Sequence, residues 1–320
     1  MKTLVIALAL LVAGSAGAET LTVCPTGSHA RACRFKGDTA IQKAVDAARN
    51  GDTVLIKRGI YHPAASRDVP FQDLVLRGYV VIRNKRLTVK GEAGTIIDGK
   101  TGKPSIAFVV QDADVAFRNL TIRDFRYAEE DDKIYDGHGI FAFDSRVRVE
   151  DVTMERIVKM AITGRGDSLI DANHVKLLDG HLGVWLEESA HARLRNMVIR
   201  GGDSSAVAAY MNSSATLSNS VAEANTDDGI YAKDDASIFV TNSVVLNNKP
   251  FGVSIEGDAH IFVAHSALYG NGADLSAKVT KGEGLIFADP KLDAGYQPQP
   301  GSPLARVTDP DLHRPIGLTR

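Results

Sequence analysis

Between residues 152 and 267 the chain repeats itself. Val152, Val175, Val198, Val221, Val244 and Ala267 stand at steps of 23 residues. Two positions before them stand Glu150, Asn173, Asn196, Asn219, Asn242 and His265. An earlier copy, Asn119-Leu120-Thr121-Ile122, places Thr121 31 residues before Val152, so one repeat carries eight extra; the acidic stretch 127–136 is where they are expected. Each repeat opens on a small residue followed by a short alternating run, as in Gly183-Val184-Trp185-Leu186 and Gly229-Ile230-Tyr231-Ala232. A polar turn and a second alternating run follow, then the asparagine bend and a third short run. Three short strands per repeat, with no helical period, describe one turn of a parallel β-helix. At the bend, stacked asparagine amides are expected to hydrogen-bond from coil to coil, in positions that need turn chemistry.

The repeat makes 320 residues one elongated domain rather than two. Residues 1–18 read as a secretory signal: Lys2, the apolar run from Leu4 to Val12, then Ala16-Gly17-Ala18 before Glu19. The run is too short to span a bilayer, and no later segment is long enough. The mature chain is expected in the periplasm or secreted. There an even cysteine count favours a Cys24–Cys33 disulfide over a metal pair with His29. Residues 19–52 form an N-terminal cap. It contains an amphipathic helix started by Asp38 or Thr39 and stopped by Asn50-Gly51, needed to close the open end of the stack. Coils run over about 53–290, and 291–320 is a tail. Lys plus Arg number 37 and Asp plus Glu 39, which leaves no basic excess for nucleic acid.

These segments resemble the right-handed parallel β-helix superfamily of pectate lyases, polygalacturonases and related polysaccharide enzymes, over about residues 38–303. Gly51-Asp52-Thr53-Val54-Leu55-Ile56 and Gly59-Ile60-Tyr61 look like the opening of such domains. Leu87-Thr88-Val89-Lys90-Gly91 and Thr95-Ile96-Ile97-Asp98-Gly99 do too. Ala288-Asp289-Pro290-Lys291-Leu292 and Gln299-Pro300-Gly301-Ser302-Pro303 look like their closing segment. The fold class is therefore all-β, a single-stranded right-handed parallel β-helix of ~23-residue coils with a capping α-helix. The resemblance implies a polysaccharide partner and a monomer, with site residues on the first sheet and its leading turn.

Alternation along the first strands selects the residues that face outward. One column reads Phe141, Ile162, Trp185, Ala208, Tyr231, Ser254, and a second Phe143, Gly164, Glu187, Tyr210, Lys233, Glu256. Aromatic rings among charges suit a sugar groove, with Trp185, Tyr231, Phe141, Phe143, His181 and Glu256 as binding residues; the alternative is packing beneath a loop such as 127–136.

Three activities fit this face. The first is lyase-type elimination on a uronate-containing polysaccharide. Lys233 is the base if its pKa is lowered, Tyr210 or Tyr231 helps, and Asp203, Asp227 and Asp228 are candidate calcium ligands. The second is inverting hydrolysis. Asn225-Thr226-Asp227 and Gly137-His138-Gly139 resemble polygalacturonase motifs, but in the wrong order and with no following acid pair; Asp228 with Glu187 would be the carboxylate pair. The third is carbohydrate binding or a surface-structural role without catalysis.

Overall fold

The computed structural model describes residues 17–28, 31–101, 104–126, 136–306 and 316–318. The expected signal (1–16 of it), His29 and all but the last residue of the 127–136 insertion lie outside these.

Among the described residues the strands form two sheets, one of 19 strands and one of 10. The ten-stranded sheet takes the first strand of each coil, including Leu182–Leu186, Val207–Ala209, Ile230–Ala232 and Phe251–Ile255. The larger sheet takes the second and third strands, such as His191–Arg195 and Val198–Arg200. Coil-to-coil pairing is parallel throughout, for example Val184↔Val207 and Ala192↔Ala215. Each coil thus encloses its own inward residues, and these stack on those of the next coil. Phe108, Phe117, Ile140, Val184, Val207, Ile230 and Val253 belong to one continuous buried cluster. Each large apolar side chain buried this way contributes about 1.5–3 kcal/mol.

Each coil turns three corners, and at each corner one residue adopts positive φ. The first column is Asp112, Asp144, Gly166, Glu188, Met211, Asp234 and Gly257. The second is Asn119, Asp151, His174, Asn196, Asn219, Asn242 and His265, and the third Asp124, Arg156, Asp179, Gly201, Ala224, Asn247 and Gly270. Asn and Asp dominate because their short side chains tolerate this backbone better than other non-glycine residues.

The expected period needs one correction. Ile140 pairs with Ile162 and Ile162 with Val184, steps of 22 rather than 23, before Val184↔Val207 restores 23. Leu120, not Thr121, lies beside Val152, so the long coil has one more residue than counted from Thr121. Because strand side chains alternate, a one-residue slip exchanges inward and outward. Ile162 and Gly164 therefore face the core, and Thr163 and Arg165 take their places in the two outward columns.

At the N-terminal end, helix Ala40–Ala47 lies over the open coil and buries Ile41, Ala44 and Val45 in the shared core. Thr39 is its N-cap residue, without a side-chain cap bond. Buried Gln42 satisfies the adjoining backbone: Val81 N–H donates to its Oε1 at 2.6 Å, and its Nε2 donates to Val81 O at 3.1 Å. Lys85 Nζ donates to the carbonyls of Val45, Asp46 and Ala48, where the helix dipole favours a cation. Thr20–Cys24 adds a parallel strand beside Thr53–Ile56, and Cys24 is disulfide-bonded to Cys33 as expected. No helix among the described residues is long and apolar enough to cross a membrane.

Candidate functional site

The outward face of the ten-stranded sheet divides into a covered part and an open part. Arg67–Phe71 pairs antiparallel with Leu74–Arg83, and the tip of this hairpin folds over the sheet. Phe71 meets Phe141 at 5.1 Å and Phe143 at 5.0 Å between ring centroids, both edge-to-face. Phe141 is fully buried in a cluster with Val69, Phe71, Leu76, Ile106 and Val109. Phe141 therefore does not face a groove as expected; it is packing beneath the hairpin, and Phe143 is half-buried against the same cluster. His138 is also buried, with Nδ1 2.8 Å from Thr163 Oγ1.

Beyond the hairpin, coil stacking about 4.8 Å apart builds two adjoining columns. The first carries Trp185, Ala208, Tyr231 and Ser254. The second carries Arg165, Glu187, Tyr210, Lys233 and Glu256, each held opposite its neighbour by bonds such as Tyr210 N–H to Leu186 O and Lys233 N–H to Ala209 O. The rings form a ladder across both columns. Trp185 to Tyr210 is 5.8 Å and Tyr210 to Tyr231 is 5.7 Å, edge-to-face at each step. Trp185 is only 6% exposed, so Tyr210 and Tyr231 present most of the accessible ring surface.

Charges bracket this ladder. Arg165 is buried and pairs with Glu187 Oε2 at 2.9 Å and Glu188 Oε1 at 2.7 Å, while its guanidinium lies 5.3 Å over the Phe71 ring. Burial raises the Glu187 carboxyl above its ordinary value, against the lowering effect of Arg165. At the other end Lys233 Nζ meets Glu256 Oε1 at 2.8 Å, and Tyr231 donates to Glu256 Oε2 at 2.6 Å. Glu256 raises the Lys233 ammonium pKa, so Lys233 is held protonated. A lowered pKa, which the role of base required, is not what this neighbour produces. Tyr210 is pushed up to about 12, by burial first and then by Asp227 and Glu187.

The aspartates are dispersed. Asp228 is 8% exposed, accepts from Ser254 Oγ, and accepts from Phe251 N–H at 2.9 Å. Burial raises its carboxyl in spite of those two donors. Asp227 accepts from the Asp228 N–H, and Asp203 Oδ1 lies 2.5 Å from His181 Nδ1. Among the described residues no three His, Cys, Asp or Glu side chains are gathered to hold a metal ion, so Asp203, Asp227 and Asp228 do not form the calcium site expected of them. Asn225 lies inside the stack, bonded to Asn248, which removes it from a catalytic Asn-Thr-Asp role. His181 and Asp203 line a separate cavity of about 420 Å³ with Arg126, Arg156, Ile157 and Asp179, at the turn leading into the sheet.

Arg165 is the site residue that period counting missed. Its signal was the unexplained acid pair Glu187-Glu188 one coil on, which needs a cation beside it when half-buried.

Comparison with solved structures finds likenesses at low identity, two of them at a TM-score of 0.50. The pectate lyase Pel9A aligns with a TM-score of 0.50 at 12% identity, covering 94% of this chain and 89% of that one. The PL6 family alginate lyase AlyGC also gives 0.50 at 12%, covering 85% of this chain and 39% of that one. The polygalacturonase of Erwinia carotovora ssp. carotovora gives 0.43 at 11%, covering 85% and 97%. No match is found among curated protein sequences. A family profile described as "Right handed beta helix region" matches residues 105–287, more than half of the sequence, and the chain belongs to that family.

Proposed function

We propose that this chain is an extracytoplasmic, monomeric protein that binds an acidic polysaccharide along the open face and cleaves it by lyase-type elimination. The observation that carries the reading is the column Arg165–Glu187–Tyr210–Lys233–Glu256 beside the Trp185–Tyr210–Tyr231 ladder. Rings take the apolar faces of pyranoses, and a fixed ammonium takes a uronate carboxylate. The charged leader, the Ala16-Gly17-Ala18 pattern and the disulfide support export.

The roles follow from the charge states. Lys233, kept protonated by Glu256, neutralises the substrate carboxylate. Glu187 is a carboxylate of raised basicity, with Oε2 on Arg165, and removes the proton from the adjacent carbon. The electron pair forms the new carbon–carbon double bond as the glycosidic carbon–oxygen bond breaks. Tyr210, protonated at neutral pH, gives its proton to the leaving oxygen. Glu187 then returns a proton to Tyr210 through solvent, which restores the site. No step is assigned to calcium, because the donor set does not fit one.

The test is absorbance of the unsaturated uronate over polygalacturonate, alginate and glycosaminoglycans. Product is expected with at least one, unchanged by EDTA and lost in Glu187→Gln. Reducing ends without the absorbance would replace elimination by hydrolysis. Binding without either product would leave a non-catalytic carbohydrate module.

A further inference from the structure

On the opposite side of the coil, the second strands present a different surface. Arg86, Asp114 and Arg146 stand in one outward column, with Leu169 and His191 continuing it. Arg148, Asp171 and Arg193 stand in the next, and Lys90, Arg118, Glu150 and Arg195 in the third. Three acids neutralise three of these cations across coils: Asp114 with Arg148 at 2.6 Å, Glu150 with Arg118 at 2.9 Å, and Asp171 with Arg195 at 2.7 Å. Arg86, Lys90, Arg146 and Arg193 remain, all exposed and without an ion-pair partner among the described residues. Asp112 and Asp144 lie at the turn beside Arg86, outside the three columns. A chain of formal charge -2 thus concentrates four unneutralised cations on one flat face. Farther along the same face stand Phe239 and Phe262, 55% and 36% exposed, with ring centroids 6.0 Å apart.

We infer that this second-strand face is a separate docking surface for an acidic polysaccharide, gripped by Arg86, Lys90, Arg146 and Arg193 and stacked on Phe239 and Phe262. It rests on the preceding reading only in the acidic character of the polymer. Charge complementarity names the occupant. The cations span four strand steps of about 4.8 Å, so a polyanion with charges along its length can meet several at once. That step is close to the length of one 1,4-linked pyranose, so every second uronate of a chain laid along the stack meets a strand that carries a free cation: Arg86 and Lys90 on the first, Arg146 two steps on and Arg193 two steps beyond it. Two exposed rings on the same line favour sugar over a polyanion without an apolar face. The surface holds a polymer while the other face works on a single stretch of it, and its affinity adds by raising the local concentration of substrate.

The test measures binding of the full chain to immobilised polygalacturonate and alginate between about 50 and 300 mM salt. Arg86→Ala/Arg146→Ala/Arg193→Ala should weaken binding by about tenfold at low salt and flatten the slope of log affinity on log salt by about two, as loss of three counterion-releasing contacts requires. Phe239→Ala/Phe262→Ala should weaken binding with the slope unchanged. Cleavage of a short uronate oligosaccharide should be the same in both variants as in the wild type. If the triple variant binds either polymer as the wild type does, the docking surface is wrong. Binding by the wild type to anionic lipid vesicles but to neither polyuronate would overturn it as well. Salt-sensitive binding without any cleavage would instead leave the surface standing and remove the elimination activity.

Discussion

Arg165, with a side chain only 4% exposed, faces two carboxylates and one aromatic ring. Removing its charge leaves Glu187 half-buried with no counter-ion at Oε2. Arg165→Met is expected to lower unfolding free energy by about 3 kcal/mol, near the lower end for a broken buried pair. Arg165→Met/Glu187→Gln should recover part of it, and denaturant midpoints of the two variants check this. A second residue-scale expectation concerns pH. The folded Asp228 carboxyl is raised above its ordinary 3.8, chiefly by burial. Its contribution to stability is therefore fully present below the unfolded pKa and is lost as pH rises through the folded one. Asp228→Asn, neutral throughout, should gain stability relative to the wild type as pH climbs from about 3.5 toward 7. A pH-independent difference between the two would mean that burial does not govern this carboxyl. These charge relations were only partly legible in the sequence. Glu187, Tyr210, Lys233 and Glu256 were placed on one face by alternation alone. The condition for Lys233 as base, a lowered pKa, is not met because Glu256, expected as a substrate ligand, is its ion-pair partner. Arg165 was hidden by a 22-residue step that period counting could not detect.

Strand stacking is stabilised internally by ladders of short polar side chains. Met197 N–H, Ser220 N–H and Ser243 N–H donate to the hydroxyls of Ser220, Ser243 and Ser266 one coil on. Asn225 Nδ2 donates to Asn248 Oδ1 at 2.8 Å, and Asn248 Nδ2 to Asn271 Oδ1 at 3.1 Å. The amide ladder was expected instead along Asn173, Asn196, Asn219 and Asn242, where Asn196 Nδ2 to Asn173 Oδ1 at 2.9 Å is one such link. The bend chemistry was readable, but its inside and outside were not. At the second corner Asn196, Asn219 and Asn242 answer a backbone need at positive φ, which His174 meets in the coil of Asn173, whereas Asn225, Asn248 and Asn271 turn inward and bond one another. The energetic consequence separates the two kinds. Asn248→Ala removes the acceptor for both Asn225 donors inside the stack and should cost about 3 kcal/mol, at 1–3 per unsatisfied buried group. Asn173→Ala lies at a half-exposed position and should stay within about 0.5 kcal/mol. Equal effects in chemical denaturation would deny the ladder its structural weight. The hairpin at Arg67–Phe71 had no counterpart in the repeat at all, because it belongs to a long coil whose period is broken.

Along the whole molecule, each coil of the stack pairs its strands only with the coils before and after it, while the Phe71–Gln72 hairpin tip and the segment around Leu304 and Ile316 reach farther along the outside. Strand Val207–Ala209 is paired on both sides, by Val184–Leu186 and by Ile230–Ala232. Strand Ala273–Leu275 has one partner strand, Phe251–Ile255, and its residues are half-buried or exposed. At the other end the helix brings Gln42 to the Val81 N–H and C=O that an open coil would leave to water, and Lys85 ties the helix's last carbonyls to the coil. Although the buried side chains form one continuous cluster, stability in such a stack is a sum of coil terms and nearest-neighbour interface terms. Opening free energy should therefore fall toward Ala273–Lys281 and stay high over Val184–Val245. Amide hydrogen exchange resolved by peptide is the measurement. Val207→Ala, which empties a fully buried position between two paired neighbours, should speed exchange in the flanking coils on both sides. Val253→Ala, one coil from that unpaired side, should release mainly Phe251–Lys281 and leave the Trp185–Tyr210 face protected. If both variants accelerated every amide equally, the coils would be one all-or-none unit and the nearest-neighbour account would fail. If exchange follows the coils, a polymer bound along several of them tightens each in turn. Protection gained on adding polygalacturonate would then mark which face, and how many coils, the chain uses to hold it.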